Sequence, residues 1–313
     1  MRQLHELIYP AKTNFSVWEP KFVSDRYETI NKRGETTCKI SFDKLIAMYD
    51  KFNLQKNTYN AKFCDTKIIE YIYEPKNHKY TILLSAGMNG CEITGILGLY
   101  YFVKLVLNSK EPGLTWIREN CKLCIIPVIS SYSFDNQTYT NINKVNINRN
   151  FNYNNNWYAI PSNKGTWNYS GICQESEGET QILREWFSSN KNANLYIDCH
   201  TDVTRQNNKP LEKTFDAIAS SKEIQNIVLN VQSSIKIYYE KLGLNPTEPW
   251  CTIAGPTDYP KSLVAHNEYN IPNIIIEQHA ADKGHNGNGM VCSNADLKNY
   301  IMMLRGYILT IKQ

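Results

Sequence analysis

Four short apolar runs constrain this chain more than any other feature. They are KYTILLSAG (79–87), KLCIIPVI (122–129), NLYIDCH (194–200) and IPNIIIE (271–277). Each is apolar at consecutive rather than alternating positions, and each is too short for a buried helix. That combination marks strands covered on both faces. TKIIEYIYE (66–74) reads as a further strand. Helical periodicity fills the intervals: SFDKLIAMYDKF with Ser41 as N-cap, residues 93–107, and SEGETQILREWF. In the last of these, Ser176 followed by Glu179 spells a capping box. Residues 220–242 and 294–312 complete the helical segments. The alternation predicts an α/β fold with a mixed, largely parallel central sheet flanked by helices. In such sheets ligands bind beyond the carboxyl ends of the strands.

The regular pattern begins at Ser41, so the reading is one domain over residues 41–313 preceded by an extension, residues 1–40. The extension has no periodicity and is expected to pack on the domain or on a protein partner. A polar stretch from Ser130 to Gly171, rich in Asn, Tyr and Ser, reads as a long functional loop. Among the 313 residues the net charge is +4 and the basic residues are scattered, which argues against a nucleic-acid partner. The most apolar stretch, Ile96 to Leu107, is too short to span a bilayer and contains Lys104. The N-terminus lacks the apolar core of a signal peptide, so a cytoplasmic or virion-associated location is expected. Nine cysteines, an odd number with no framework spacing, fit a reducing compartment. Cys121 and Cys124 sit in an apolar run, where free thiols act as small hydrophobes.

Four segments carry polar chemistry against this apolar background. Ser85-Ala-Gly-Met-Asn-Gly-Cys-Glu92 runs from a strand through a Gly-containing turn towards a helix. Val145-Asn-Ile-Asn-Arg-Asn-Phe151 lies in the long loop, Tyr196-Ile-Asp-Cys-His200 ends one strand, and Ile274-Ile-Ile-Glu277 ends another. Singly, each has an ordinary structural explanation: a solvated carboxylate, a turn, a surface ion pair. Their order along the chain is harder to explain that way.

With these residues in this order the sequence resembles the zinc carboxypeptidase family, over roughly residues 41 to 313. The family pattern is His-x-x-Glu after a central strand, an Asn-Arg pair in a long loop, a ligand His at one strand end and a Glu at a later one. VNINRNF is the most specific piece. The resemblance implies Glu92 and His200 as zinc ligands and Glu277 as general base. It also implies Asn148 with Arg149 as the clamp for the terminal carboxylate of a peptide or peptide-like amide. Zinc held by three protein ligands lowers the pKa of a bound water towards ~7, and paired hydrogen bonds from a guanidinium select a free carboxylate. Asp198 is open at this point between a partner that orients His200 and a plain strand-end carboxylate.

The chain departs from the pattern at three places. Asn89 stands where the first ligand His belongs, and an amide is a poor zinc ligand beside imidazole. Cys91 has the wrong spacing to replace it, which leaves His266, His279 and His285 as further histidines. No Arg lies between Arg118 and Arg149 to polarise the scissile carbonyl; Lys122, inside an apolar strand run, and Lys144 are the cations there. An ungapped match backward from Glu277 puts Trp250 at the place of the family's mobile substrate-binding Tyr, with Tyr259 the other candidate. The expectation is a metallocarboxypeptidase-like hydrolase whose zinc is held weakly or lost. The alternatives are an inactive binding or structural module, for example in a phage virion, and a deacylase of small acyl-amino acids.

Overall fold

The computed structural model describes residues 40–61, 67–154, 164–166, 168–201, 215–241, 243, 246, 248–256, 259–277 and 294–311. The extension read over residues 1–40 lies, except for Ile40, outside the described residues. Elements below are numbered in chain order among those described.

Eight strands form one sheet: β1 (Gln55–Asn60), β2 (Lys67–Tyr73), β3 (Tyr80–Ala86), β4 (Cys121–Ile126), β5 (Leu195–His200), β6 (Ala217–Ala219), β7 (Cys251–Ile253) and β8 (Asn273–Glu277). Their spatial order is β1-β2-β4-β3-β5-β8-β6-β7. The central four, β4-β3-β5-β8, are mutually parallel, and antiparallel pairs flank them at β1–β2, β2–β4 and β8–β6. The four consecutive apolar runs of the sequence are these four central strands. The helices are α1 (Phe42–Asp50), α2 (Ile93–Asn108), α3 (Pro112–Asn120), α4 (Ser131–Asn136), α5 (Gly178–Ser189), α6 (Lys222–Lys241), α7 (Pro260–Leu263) and α8 (Asn294–Thr310). A π turn, Val264–Glu268, follows α7 directly. Among the described residues no helix is long and apolar enough to cross a membrane.

Strand alternation divides the sheet into two apolar faces. Ile82, Leu84, Ile125, Ile197, Cys199, Ile274 and Ile276 pack with side chains of α1, α2, α3, α6 and α8. Leu83, Cys124, Ile126 and Tyr196 face the other way, onto Ile182, Leu183, Trp186 and Phe187 of α5 and onto Val264 and Ala265. Cys121 and Cys124 therefore belong to opposite faces and act as core hydrophobes.

Ser41 caps α1 as expected, accepting from Lys44 N at 3.3 Å. The predicted capping box does not form. The N-cap of α5 is Glu177, Ser176 Oγ donates to Glu177 Oε1 at 2.6 Å, and Glu179 accepts from Asn141 Nδ2 at 3.2 Å. Asparagines of the long loop have recruited the carboxylates that would otherwise serve the helix end. That loop also contains α4 and a 3-10 turn, Ile147–Arg149, neither of which has a periodic signature. Strand β1 is polar because it is a sheet edge paired only with β2, and β6 and β7 are three residues each, specified by pairing rather than by local sequence.

One ion pair ties the helical layer together. Glu111, the N-cap of α3, accepts from Gly113 N and Leu114 N at 3.0 and 2.8 Å. It also receives Arg305 of α8 in a fork, Nε to Oε2 at 3.0 Å and Nη2 to Oε1 at 2.6 Å. Both side chains are buried. Burial pushes the Glu111 carboxyl up, but Arg305 and the two backbone N–H groups outweigh it and hold the carboxyl below its ordinary value. Arg305→Met leaves a buried unpaired carboxylate and is expected to cost about 3–5 kcal/mol by urea denaturation at neutral pH. Because the folded pKa lies below the unfolded one, the contribution of Glu111 is present above pH ~4.3 and is lost as pH falls through the lower folded value. The stability gap between wild type and Glu111→Gln is therefore expected to close on acidification. A gap unchanged down to pH ~2 would contradict the assignment.

Candidate active site at the carboxyl ends of the strands

Two glycines set the backbone around the turn after β3. A Cβ on Gly90 would fall 2.0 Å from the backbone N of Phe134, so this glycine lets the turn lie against α4. A Cβ on Gly95 would fall 2.6 Å from the carbonyl oxygen of Cys199, and Gly95 N donates to Thr201 Oγ1 at 3.0 Å, so Gly95 seats the start of α2 directly against the end of β5. Glu92 occupies the N-cap position of α2 but makes no side-chain capping bond. Its Oε2 instead accepts from Thr201 N at 3.2 Å and lies 2.7 Å from His200 Nδ1.

Asp198 and His200, two residues apart on β5, point to the face that carries α5 and α7. His200 Nε2 is 2.7 Å from Asp198 Oδ2. Asp198 Oδ1 accepts from Ser85 Oγ at 2.5 Å, its register partner on β3, and Ser85 Oγ is 2.8 Å from Tyr196 OH. Lys261 of α7 forms an ion pair with Asp198 Oδ2. Both Lys261 and Asp198 are 0% exposed. The backbone oxygen of His200 accepts from Tyr300 OH at 2.8 Å. Asp198 is thus an orienting partner of His200, which resolves the two readings left open by the sequence.

Each ring nitrogen of His200 faces a carboxylate oxygen at 2.7 Å, an arrangement in which a doubly protonated ring would donate to both. Burial works against that charge, but Asp198 and Glu92 outweigh it and hold the imidazole well above its ordinary pKa. Burial likewise pushes Asp198 up, and Lys261 and His200 together pull it well below the carboxylate range.

Glu277 is the register partner of His200 in the parallel β5–β8 pair, so the two side chains leave the sheet on the same face. It is half-buried. Its backbone N donates to Asp216 O at 2.9 Å. Asn148 and Arg149 lie on the 3-10 turn. Arg149 Nε donates to Asn168 Oδ1 at 3.1 Å, and its guanidinium carbon lies 5.9 Å from the ring centroid of Tyr259. Tyr259 is the N-cap of α7, two residues before Lys261. One short helix therefore carries both the aromatic at Arg149 and the ammonium at Asp198. Asn148 is buried, and its Oδ1 has no hydrogen-bond partner. Trp250 is 43% exposed and immediately precedes β7, the strand at the far edge of the sheet.

Does this donor set fit zinc? Asn89 is buried with its Nδ2 donating to Tyr139 O at 2.9 Å. Two ligands each ~2.1 Å from a tetrahedral ion stand about 3.3–3.4 Å apart, whereas Glu92 Oε2 and His200 Nδ1 are 2.7 Å apart. Glu92 fills the place at Nδ1 that a metal would take, while Asp198 provides the carboxylate usually found behind a ligating histidine. Cys91 is no substitute: burial first, then the Glu92 charge, push its thiol well above the ordinary value. Among the described residues no three His, Cys, Asp or Glu side chains converge on one metal position. His266 lies on the π turn with Nδ1 buried and without a hydrogen-bond partner, and His279 and His285 are outside the described residues. As arranged, the site does not fit a zinc ion.

Lys261 was invisible to sequence reasoning. PKSLVAH has no motif, and a lone Lys in such a segment reads as a solvated side chain. The only signal available was its position, two residues after the Tyr259 already under consideration.

If Asn89 is what separates this site from a metal site, Asn89→His is expected to tighten zinc binding at least tenfold. A lost partner of a ligand alone typically changes metal affinity 10- to 100-fold. Titration calorimetry with the thiols alkylated measures this. Tight one-to-one zinc binding by the wild-type chain, unchanged in Asn89→His, would place the metal site elsewhere.

The zinc carboxypeptidase family model matches residues 52–301, most of the chain. Solved structures with the same fold include a carboxypeptidase A from Helicoverpa armigera, at 14% identity and a TM-score of 0.64 over 88% of this chain and 74% of that one. Thrombin activatable fibrinolysis inhibitor matches at 14% identity and TM-score 0.66 over 98% of this chain and 80% of its own. A metallo-carboxypeptidase from Burkholderia cenocepacia matches at 12% and 0.57, over 87% and 69%. A comparison with curated protein sequences gives no match. Likeness at such identities speaks for the fold alone. The family match covers the whole sheet and every site residue described above, and the chain belongs to the zinc carboxypeptidase family.

Proposed function

We propose that this chain recognises the free carboxylate end of a peptide or peptide-like amide, with hydrolysis weakened by the altered metal site. The observation that carries the reading is the placement of Arg149 beside Tyr259, on the helix that also reaches Asp198. The bond from Nε to Asn168 fixes the plane of the guanidinium, so its outer edge has a defined direction for a bidentate carboxylate. Asn148 Oδ1, buried and without a partner, would be satisfied by the N–H of a terminal residue.

Zinc, were it held here, would supply a Lewis acid and an activated water, but the donor set does not fit it and no step is derived through it. Of the chain's own groups, Glu277 stands beside His200 and is the proton-handling carboxylate in this reading. The missing arginine also bears on rate. Arg118 donates Nη1 to Val106 O at 2.9 Å and Ser109 O at 2.7 Å, closing the end of α2, and is not available to a scissile carbonyl. One oxyanion donor alone commonly contributes ~10²–10³ in rate. Binding without efficient turnover is the expected behaviour, and it unites the hydrolase reading with that of a binding module.

The test compares one short peptide as free acid and as C-terminal amide, titrated into wild type and Arg149→Met. The free acid is expected to bind at least tenfold tighter than the amide, and Arg149→Met to abolish that preference, since a hydrogen bond to a charged group contributes about 1.5–3 kcal/mol. Equal binding of acid and amide by the wild-type chain would rule the reading out.

A further inference from the structure

Lys261 is an unusual side chain to find at this depth. Lysine is almost never fully buried unless its charge is paired, and here the ammonium is 0% exposed, on the carboxylate that orients His200. Its remaining surroundings come from two further elements. Met88 Sδ, in the turn that leads to Asn89 and Glu92, is 3.5 Å from Nζ, and the ring of Tyr196 on β5 has its centroid 5.9 Å away. The ammonium therefore joins α7, β5 and the turn after β3. The carboxylates of Glu92 and Asp198 are both buried at the same place, and a buried negative charge needs a positive one close by.

We propose that Lys261 is the resident cation of this site, supplying from within the chain the charge balance and cross-linking that would otherwise fall to a metal ion. Lys261 sits on Asp198, and the His200 ring lies between Asp198 and Glu92. A divalent ion entering this cluster would have to separate Glu92 from His200. Lys261 is a positioning residue: it acts on the site through Asp198. The inference concerns the same cleft as the proposed peptide recognition but does not depend on it, and its readouts are separate.

The experiment follows thermal unfolding of the full chain, with thiols alkylated, in chelator and in excess zinc. Wild type is expected to give the same Tm in both. Lys261→Met removes the cation that holds Asp198, and is expected to unfold at lower temperature and to acquire a zinc-dependent rise in Tm, because the buried Asp198 carboxylate then lacks its ammonium partner. Arg305→Met, which breaks the buried pair on α8 away from the cleft, is expected to lose stability without gaining any zinc response. Should Lys261→Met fail to fold, Lys261→Met/Asp198→Asn removes both charges, and is expected to fold and to remain indifferent to zinc. The proposal is overturned if zinc raises the Tm of wild type, if Lys261→Met and Arg305→Met respond to zinc alike, or if the double variant is no more stable than Lys261→Met.

Discussion

Asp198 places a carboxylate within the central sheet, away from water, and the polar architecture around it follows from that charge. A group so placed needs compensation from every side. It receives a hydroxyl from Ser85 on the neighbouring strand, the imidazole of His200 on its own strand, and the ammonium of Lys261 from above the sheet. Each of these has a further attachment. Ser85 meets Tyr196, His200 meets Glu92 at the start of α2, and Lys261 belongs to the helix whose N-cap, Tyr259, lies at Arg149. Pulling one member out leaves another buried and unpaired, so the network is expected to stand or fall together.

This dependence explains why the site occupies its particular rim. Strand alternation sends Tyr196, Asp198 and His200 to one face and Ile197 and Cys199 to the other, so apolar packing with α2 and α8 continues uninterrupted on one side of β5. On the other side the same strand changes from core to polar cluster within two residues. The parallel neighbours share that register, with Ser85 opposite Asp198 and Glu277 opposite His200. A parallel sheet thus brings strand-end residues from separate parts of the chain onto one face without any direct sequence link between them.

The central strands were legible because their apolar runs are continuous, and the strand-end polar residues stood out against them. The roles given to Asn89, Glu92, His200 and Glu277 came from the family resemblance, and the structure brings Glu92 against His200 and sets Glu277 beside it in register. What escaped was whatever depends on tertiary neighbours. Strands β6 and β7 exist because β8 offers an edge, and the capping role of Ser176 and Glu179 yields to asparagines earlier in the chain, Asn150 donating to Ser176 and Asn141 to Glu179. Lys261 escaped for the same reason: its meaning lies in Asp198, more than sixty residues away, and its own flanks are silent.

Family membership and family chemistry rest on different physical quantities here. The fold is a sum of many apolar burials, so it persists at 14% identity to a carboxypeptidase A, where few individual side chains are retained. The metal chemistry rests on a handful of donors, where a single change removes a ligand outright. At position 89 the chain has an asparagine, whose amide donates to the backbone carbonyl of Tyr139. The His200 ring lies between Glu92 and Asp198, and Lys261 pairs with Asp198, so these side chains satisfy one another.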